Sequence, residues 1–144
     1  MDSIAVRYRS DLTSFRATQM AAEEAYRMAG FGPARVEVAE IHDAFAPFEL
    51  ISLEDTGLVP AGKAGRATLD GETAIGGRLP VNPSGGLKAR GHPLAATGIA
   101  QIVELCWQLR GLAVGRQVEA RVGLAQSIGG IATNNWVALL EARR

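Results

Sequence analysis

The sequence predicts a layered α/β domain with helices packed on a mixed sheet, and three observations carry that prediction. Helical and strand periodicities follow one another in the order α, β, α, loop, α, β, β. The 17 glycines concentrate between residues 57 and 130, at the joints of those segments. The 144 residues suffice for one domain with a buried core, so residues 1–144 are read as one domain.

Residues 1–12 read as an extended lead-in without helical period. Over Thr13–Ala29, Phe15, Met20, Ala21, Ala25 and Met28 approximate one helix face and Glu23, Glu24 and Arg27 the other. Gly30 stands where a helix C-terminus favours glycine. Val36–His42 is a strand by its alternating β-branched residues, and Asp43–Thr56 a helix with Phe45, Phe48 and Ile51 near one side, closed by Gly57. Residues 59–81 form a long loop-rich excursion, of the kind that is functional or covers something. Pro93 suits the first turn of the next helix. In that helix Ile99, Ile102, Val103, Cys106 and Leu109 mark a stripe read as buried, with Cys106 in the core. Two strands, Glu119–Gln126 and Asn134–Ala142, are joined by the glycine-rich turn Ser127–Asn134.

Composition excludes several classes. Lys plus Arg equals Asp plus Glu at 15 each, so no net charge steers the chain to nucleic acid or an anionic membrane. No run of 18 apolar residues predicts a membrane span, and the N-terminus lacks a basic-then-apolar signal pattern. The single cysteine excludes an internal disulfide and makes a reducing cytoplasm the expected compartment. Two histidines with one cysteine give no metal-site spacing, and no P-loop pattern is present.

Three segments carry chemistry. Residues 82–98 read N-P-S-G-G-L-K-A-R-G-H-P-L-A-A-T-G, and place His92 just before Pro93. At a helix start the dipole disfavours protonation, so His92 is expected to be a neutral imidazole able to act as a general base. His42-Asp-Ala-Phe follows a strand, and Ser127-Ile-Gly-Gly stands between the last two strands. Taken singly each has a plain reading: Asp43 as a helix N-cap beside His42, His92 as a cap, Gly129 and Gly130 as a hairpin turn. Lys88 and Arg90 read as a phosphate clamp or as a solvated loop.

Together the three segments resemble the C-terminal half of thiolases, in the sterol-carrier and archaeal branch that reads His-Asp where other thiolases read Asn-Glu. The likeness runs from about Leu12 to Leu140. It implies an α-β-α layered C-terminal domain, a mixed sheet with helices on both faces, and an active site shared with an N-terminal half that carries the nucleophilic cysteine. His92 matches the histidine that activates that cysteine, and His42 the position that helps hold the thioester carbonyl of the second substrate. Gly129 and Gly130 lie near the loop that holds the acyl-enzyme oxyanion. Asn82, Ser84, Gly85, Gly86, Phe45 and Ser127 are the expected substrate-contacting residues. No covalent cofactor is implied; the substrate is a coenzyme A thioester.

The chain departs from the family where related thiolases carry a second acid/base cysteine: Ala44 fills one such position and Gln126-Ser127 the other. A methyl group moves no proton, and a serine hydroxyl is a poor replacement for a thiol. The partners implied are an N-terminal thiolase half on a separate chain, acyl-CoA, and, as in some thiolase-like proteins of retro-aldol chemistry, a small zinc- and OB-fold partner. The chain is expected to be a split or truncated thiolase half, inactive alone and prone to oligomerise through the apolar surface that normally meets the other half. A non-catalytic acyl-CoA- or lipid-binding module, or a nucleotide-binding domain using Lys88 and Arg90, are the alternatives.

Overall fold

The computed structural model describes residues 3–143. Along the chain run α1 (Arg16–Ala29), β1 (Val38–Ile41), α2 (Ala46–Asp55), α3 (Ala64–Leu69), α4 (Gly86–Arg90), α5 (Thr97–Leu109), β2 (Val122–Gly129) and β3 (Asn134–Glu141). The sheet has the order β1-β2-β3, with β1 parallel and β2–β3 antiparallel, so it is mixed. Val81 adds an isolated parallel bridge to Ala39.

Alternation along the strands sends side chains to two layers. Ala39, Ile41 and Leu124 pack with Leu53, Val59 and Leu79 on one side of the sheet. Val38 and Ala125 pack with Leu105 and Val118 on the other. α1 and α2 cover the first side, where Thr18 Oγ1 accepts hydrogen bonds from Gln126 Nε2 (3.2 Å) and Asn135 Nδ2 (2.7 Å). α5 covers the second, its Gln101 Nε2 donating to the carbonyls of Glu40 (3.2 Å) and Gln126 (2.9 Å). Helices therefore lie on both faces, as the resemblance implies.

Several elements differ from their sequence reading. The lead-in contains a 3-10 turn at Val6–Tyr8 instead of being extended throughout; its first two residues lie outside the described residues. α1 ends at Gly30 in the left-handed region, as expected, but it starts at Arg16 and not at Thr13, buries Ala17, Thr18 and Ala22, and leaves Met20 and Met28 exposed. Asp43 is not the N-cap of α2; that position is Phe45, without a side-chain cap. The excursion over 59–81 contains α3, and the motif over 82–98 contains α4. Pro93 does not begin α5. Ala95 has φ +69°, outside the right-handed helical region, so the helix starts at Thr97. Ser127, Ile128 and Gly129 continue β2, and the turn is confined to residues 130–133.

The largest difference is the face of α5. Its buried residues are Thr97, Gln101, Glu104, Leu105 and Gln108, while Ile99 is 67% exposed. Val103 is also exposed, and Ile102, Cys106 and Leu109 are only half-buried. The polar side chains go inside because each finds partners there. Gln108 Nε2 donates to Glu104 Oε1 (2.9 Å) and Gln108 Oε1 accepts from Val118 N–H (2.8 Å). Arg116 donates to both carboxylate oxygens of Glu104, at 3.0 and 2.7 Å.

This arrangement makes a direct test. Leu105→Ala should cost about 2–5 kcal/mol of stability in urea unfolding. Ile99→Ala on the same helix should stay within about 0.5 kcal/mol. Equal losses at the two positions would restore the apolar stripe as the buried face.

Candidate functional site

β1 and β2 run parallel with Ile41, the last residue of β1, opposite Gln126, after which β2 continues to Gly129. His42 follows the end of β1 and Ser127 is the next residue along β2, and His42 N–H donates to Gln126 Oε1 (3.1 Å). At the C-terminal edge of these strands opens a cleft of about 730 Å³, the position where α/β sheets commonly hold ligands. His42, His92, Phe45, Ser127, Gly129 and Gly130 all line it, together with Ala44, Lys88, Thr97 and Trp136. Asn82, Ser84, Gly85 and Gly86 do not line it; they build the support behind it.

That support is specific. Asn82 Oδ1 accepts from Ile41 N–H (2.8 Å) and its Nδ2 donates to Glu49 (3.0 Å), so its amide is engaged at the end of β1. Ser84 donates its hydroxyl to Glu40 Oε2 (2.8 Å) and its N–H to Oε1 (3.2 Å). Gly86 has φ +63°, and a Cβ there would lie 2.2 Å from Asp43 Oδ2. The close approach lets buried Asp43 accept from Leu87 N–H at 2.7 Å, tying α4 to the segment after β1. Gly98 serves the same end on α5: a Cβ would stand 2.4 Å from Trp136 Cζ2.

The imidazoles of His42 and His92 meet edge to face, with centroids 4.9 Å apart and planes at 86°. His42 is 3% exposed, and its Nδ1 is buried without a hydrogen-bond partner. Burial first, then the charges of His92 and Arg90, push its pKa down to about 4, against the opposing effect of Asp43. It is a neutral imidazole at physiological pH. His92 is exposed, and its Nδ1 lies 2.7 Å from Thr97 Oγ1. The Thr97 hydroxyl also reaches Pro93 O at 3.3 Å. A hydroxyl donates one hydrogen; spent on Pro93 O, it leaves Oγ1 accepting from His92 Nδ1–H and Nε2 as the basic nitrogen.

Glu40, Asp43, Thr97 and Arg90 were missed as site residues or misread. Glu40 is fully buried on β1, and burial raises its carboxyl to about 7, while the Ser84 hydrogen bonds and the Arg90 charge oppose the rise. Arg90 neither clamps a phosphate nor points into solvent: its side chain is 22% exposed and its Nη2 lies 3.7 Å from Glu40 Oε2. The only sequence signal for this pairing was an ionisable residue two before each histidine. Lys88 remains exposed beside the cleft. Cys106 does not line the cleft. Among the described residues no cluster of His, Cys, Asp and Glu could hold a metal ion, and no helix is long and apolar enough to cross a membrane.

Comparison with known proteins matches residues 1–142 to the model of the "Thiolase C-terminal domain-like" family. The chain is 52% identical over 129 residues to an acetyl-CoA acetyltransferase of Methanothermobacter thermautotrophicus, covering 89% of this chain and 34% of that protein. It is 46% identical over 119 residues to sterol carrier protein 2 of Bos taurus, covering 82% of this chain and 22% of that one. Among solved structures, one named "Ltp2-ChsH2(DUF35) aldolase" superimposes with a TM-score of 0.79 at 28% identity, over 95% of this chain and 35% of its own. The chain thus spans about a third or less of the length of these relatives.

The two buried groups titrate in opposite senses. His42 has its folded pKa below the ordinary 6.5, so it contributes stability that is present above that value and lost as pH falls toward 4. Glu40 has its folded pKa above the ordinary 4.5, so its contribution is present below 4.5 and lost as pH rises toward 7. In urea unfolding followed from pH 4.5 to 7, His42→Asn should lose stability relative to the parent as pH rises. Glu40→Gln should gain it. Parallel pH profiles for parent and variants would contradict both assignments.

Proposed function

The chain belongs to the thiolase C-terminal domain-like family, and we propose that it supplies the base and oxyanion-binding groups of an acyl-CoA acyltransferase whose nucleophilic cysteine stands on an N-terminal half. The observation that carries this reading is the pair of facing imidazoles, one buried and neutral, one exposed with Thr97 at its Nδ1, in a cleft with Ser127, Gly129 and Gly130.

In this reading His92 Nε2 takes the thiol proton of the incoming cysteine, and the thiolate attacks the thioester carbonyl. The acyl group passes to sulfur, coenzyme A leaves as its thiol, and the proton returns to it from His92. His42, neutral, keeps one ring N–H to donate to the thioester oxygen of the second substrate. Backbone N–H groups around Gly129 and Gly130 serve the acyl-enzyme oxyanion.

The surface beside the cleft supports a partner. Leu94 (81%), Ile99 (67%) and Trp107 (44%) are exposed along α5 and the turn that enters it. A row of large apolar side chains with a polar interior behind it is the reverse of a solvent-facing helix. We place the cysteine-bearing half, or a second copy of the chain, against this row, with the assembly in the cytoplasm.

A second reading follows from Ala44, which lines the cleft where some relatives carry an acid/base cysteine. Without that cysteine the chemistry fits retro-aldol cleavage of an acyl-CoA in a complex with a zinc- and OB-fold partner, and the structural neighbour is named an aldolase. Reconstitution with a cysteine-bearing N-terminal half, assayed for thiolysis and for retro-aldol cleavage, separates the two. In either reaction His92→Ala should lower turnover by about 10²–10⁴-fold. Unchanged turnover would remove His92 from the base role, and no turnover of any acyl-CoA thioester would leave a binding module.

A further inference from the structure

Two segments of the site are joined twice by residues at the same spacing. Glu40 and His42 stand two apart at the end of β1, and Arg90 and His92 two apart on the segment leaving α4. Glu40 faces Arg90 at 3.7 Å while His42 faces His92 at 4.9 Å between centroids. Glu40 is the fixed member, bonded by Ser84 through hydroxyl and N–H, with its own carbonyl held by Gln101 of α5.

Arg90 is the unusual member. Its Nε, Nη1 and Nη2 are all buried, yet none has a hydrogen-bond partner, and 3.7 Å exceeds hydrogen-bond length. A guanidinium taken from water without hydrogen bonds is costly, and a buried ion pair taken as a whole is often no more stabilising than apolar groups of the same volume. Net stability therefore gives little reason for an ion pair here. The position of Arg90 does: only Gly91 separates it from His92.

We propose that Arg90 is a positioning residue for the imidazole pair: docked on Glu40, it holds the His92 segment against His42 and places a fixed positive charge beside them. This rests on reading the two histidines as the working pair. The charge opposes protonation of His42, together with that of His92, while Asp43 favours it. On the other side Glu40 faces the Arg90 charge and, from α5, the Glu104 charge, itself paired with Arg116. Arg90 thus adds to burial and the His92 charge in keeping His42 neutral at the pH where His92 must be able to take a proton.

The test needs neither partner nor turnover. Imidazole resonances of the full 144-residue chain are followed by NMR from pH 3.5 to 8 in the parent, Arg90→Lys, Arg90→Met and Arg90→Gln, with urea stability measured alongside. The two neutral variants should raise the His42 midpoint and weaken the ring-to-ring contact with His92; because they leave Glu40 buried without its partner, they should also be less stable than the parent while still folding. Arg90→Lys, which keeps the charge, should leave the midpoint near the parent's. An unmoved midpoint and an intact ring contact in a folded neutral variant overturn the proposal. So does loss of folding in both neutral variants while Arg90→Lys folds, since that makes Arg90 structural. A reconstituted enzyme indifferent to His92→Ala would instead remove the base role and leave these titrations standing.

Discussion

The site depends on the parallel pairing of β1 with β2. Their register sets Ile41 opposite Gln126, so the chain leaves β1 at His42 beside Ser127, from which β2 runs on to Gly129. A slip by one residue would turn every side chain of β1 to the opposite face, sending His42 away from the cleft and Glu40 away from Arg90. The register is secured by groups that read it directly: Gln126 Oε1 on His42 N–H, Asn82 Oδ1 on Ile41 N–H, and Gln101 Nε2 across both strands. Those three amides are buried or half-buried, where a mispaired polar group is costly.

A second constraint is the polar interior of α5. Because the Gln101 amide nitrogen, Glu104 and Gln108 find hydrogen-bond partners inside, the helix turns its isoleucine, valine and tryptophan outward. The cleft opens beside that outward face, since Leu94 and Ile99 line it too. The cleft and the outward apolar face are thus neighbouring surfaces.

Much of the architecture was legible in the residue order. The three principal helices and three strands, the left-handed Gly30 and the mixed layered sheet follow from periodicity and glycine placement. The motif over 82–98 with His42-Asp-Ala-Phe carried the family, and family and fold agree with the comparisons. Six of the ten site residues read from the sequence line one cleft. The other four, Asn82, Ser84, Gly85 and Gly86, are polar or glycine residues of the same motif, and nothing local distinguishes a residue facing a ligand from one bracing the loop behind it.

What the sequence determined by itself was the set of local preferences: where helices and strands form, where the backbone must turn, and which motif the loops spell. Only the tertiary structure decided which face of α5 is buried, that Asp43 anchors α4 instead of capping α2, and that Arg90 seeks Glu40. The physical reason is range. Periodicity counts apolar residues within one helix, whereas a glutamine is buried only if distant carbonyls await it, and Gln101 finds the carbonyl of Glu40 61 residues away. Such partners exist only once the sheet has formed.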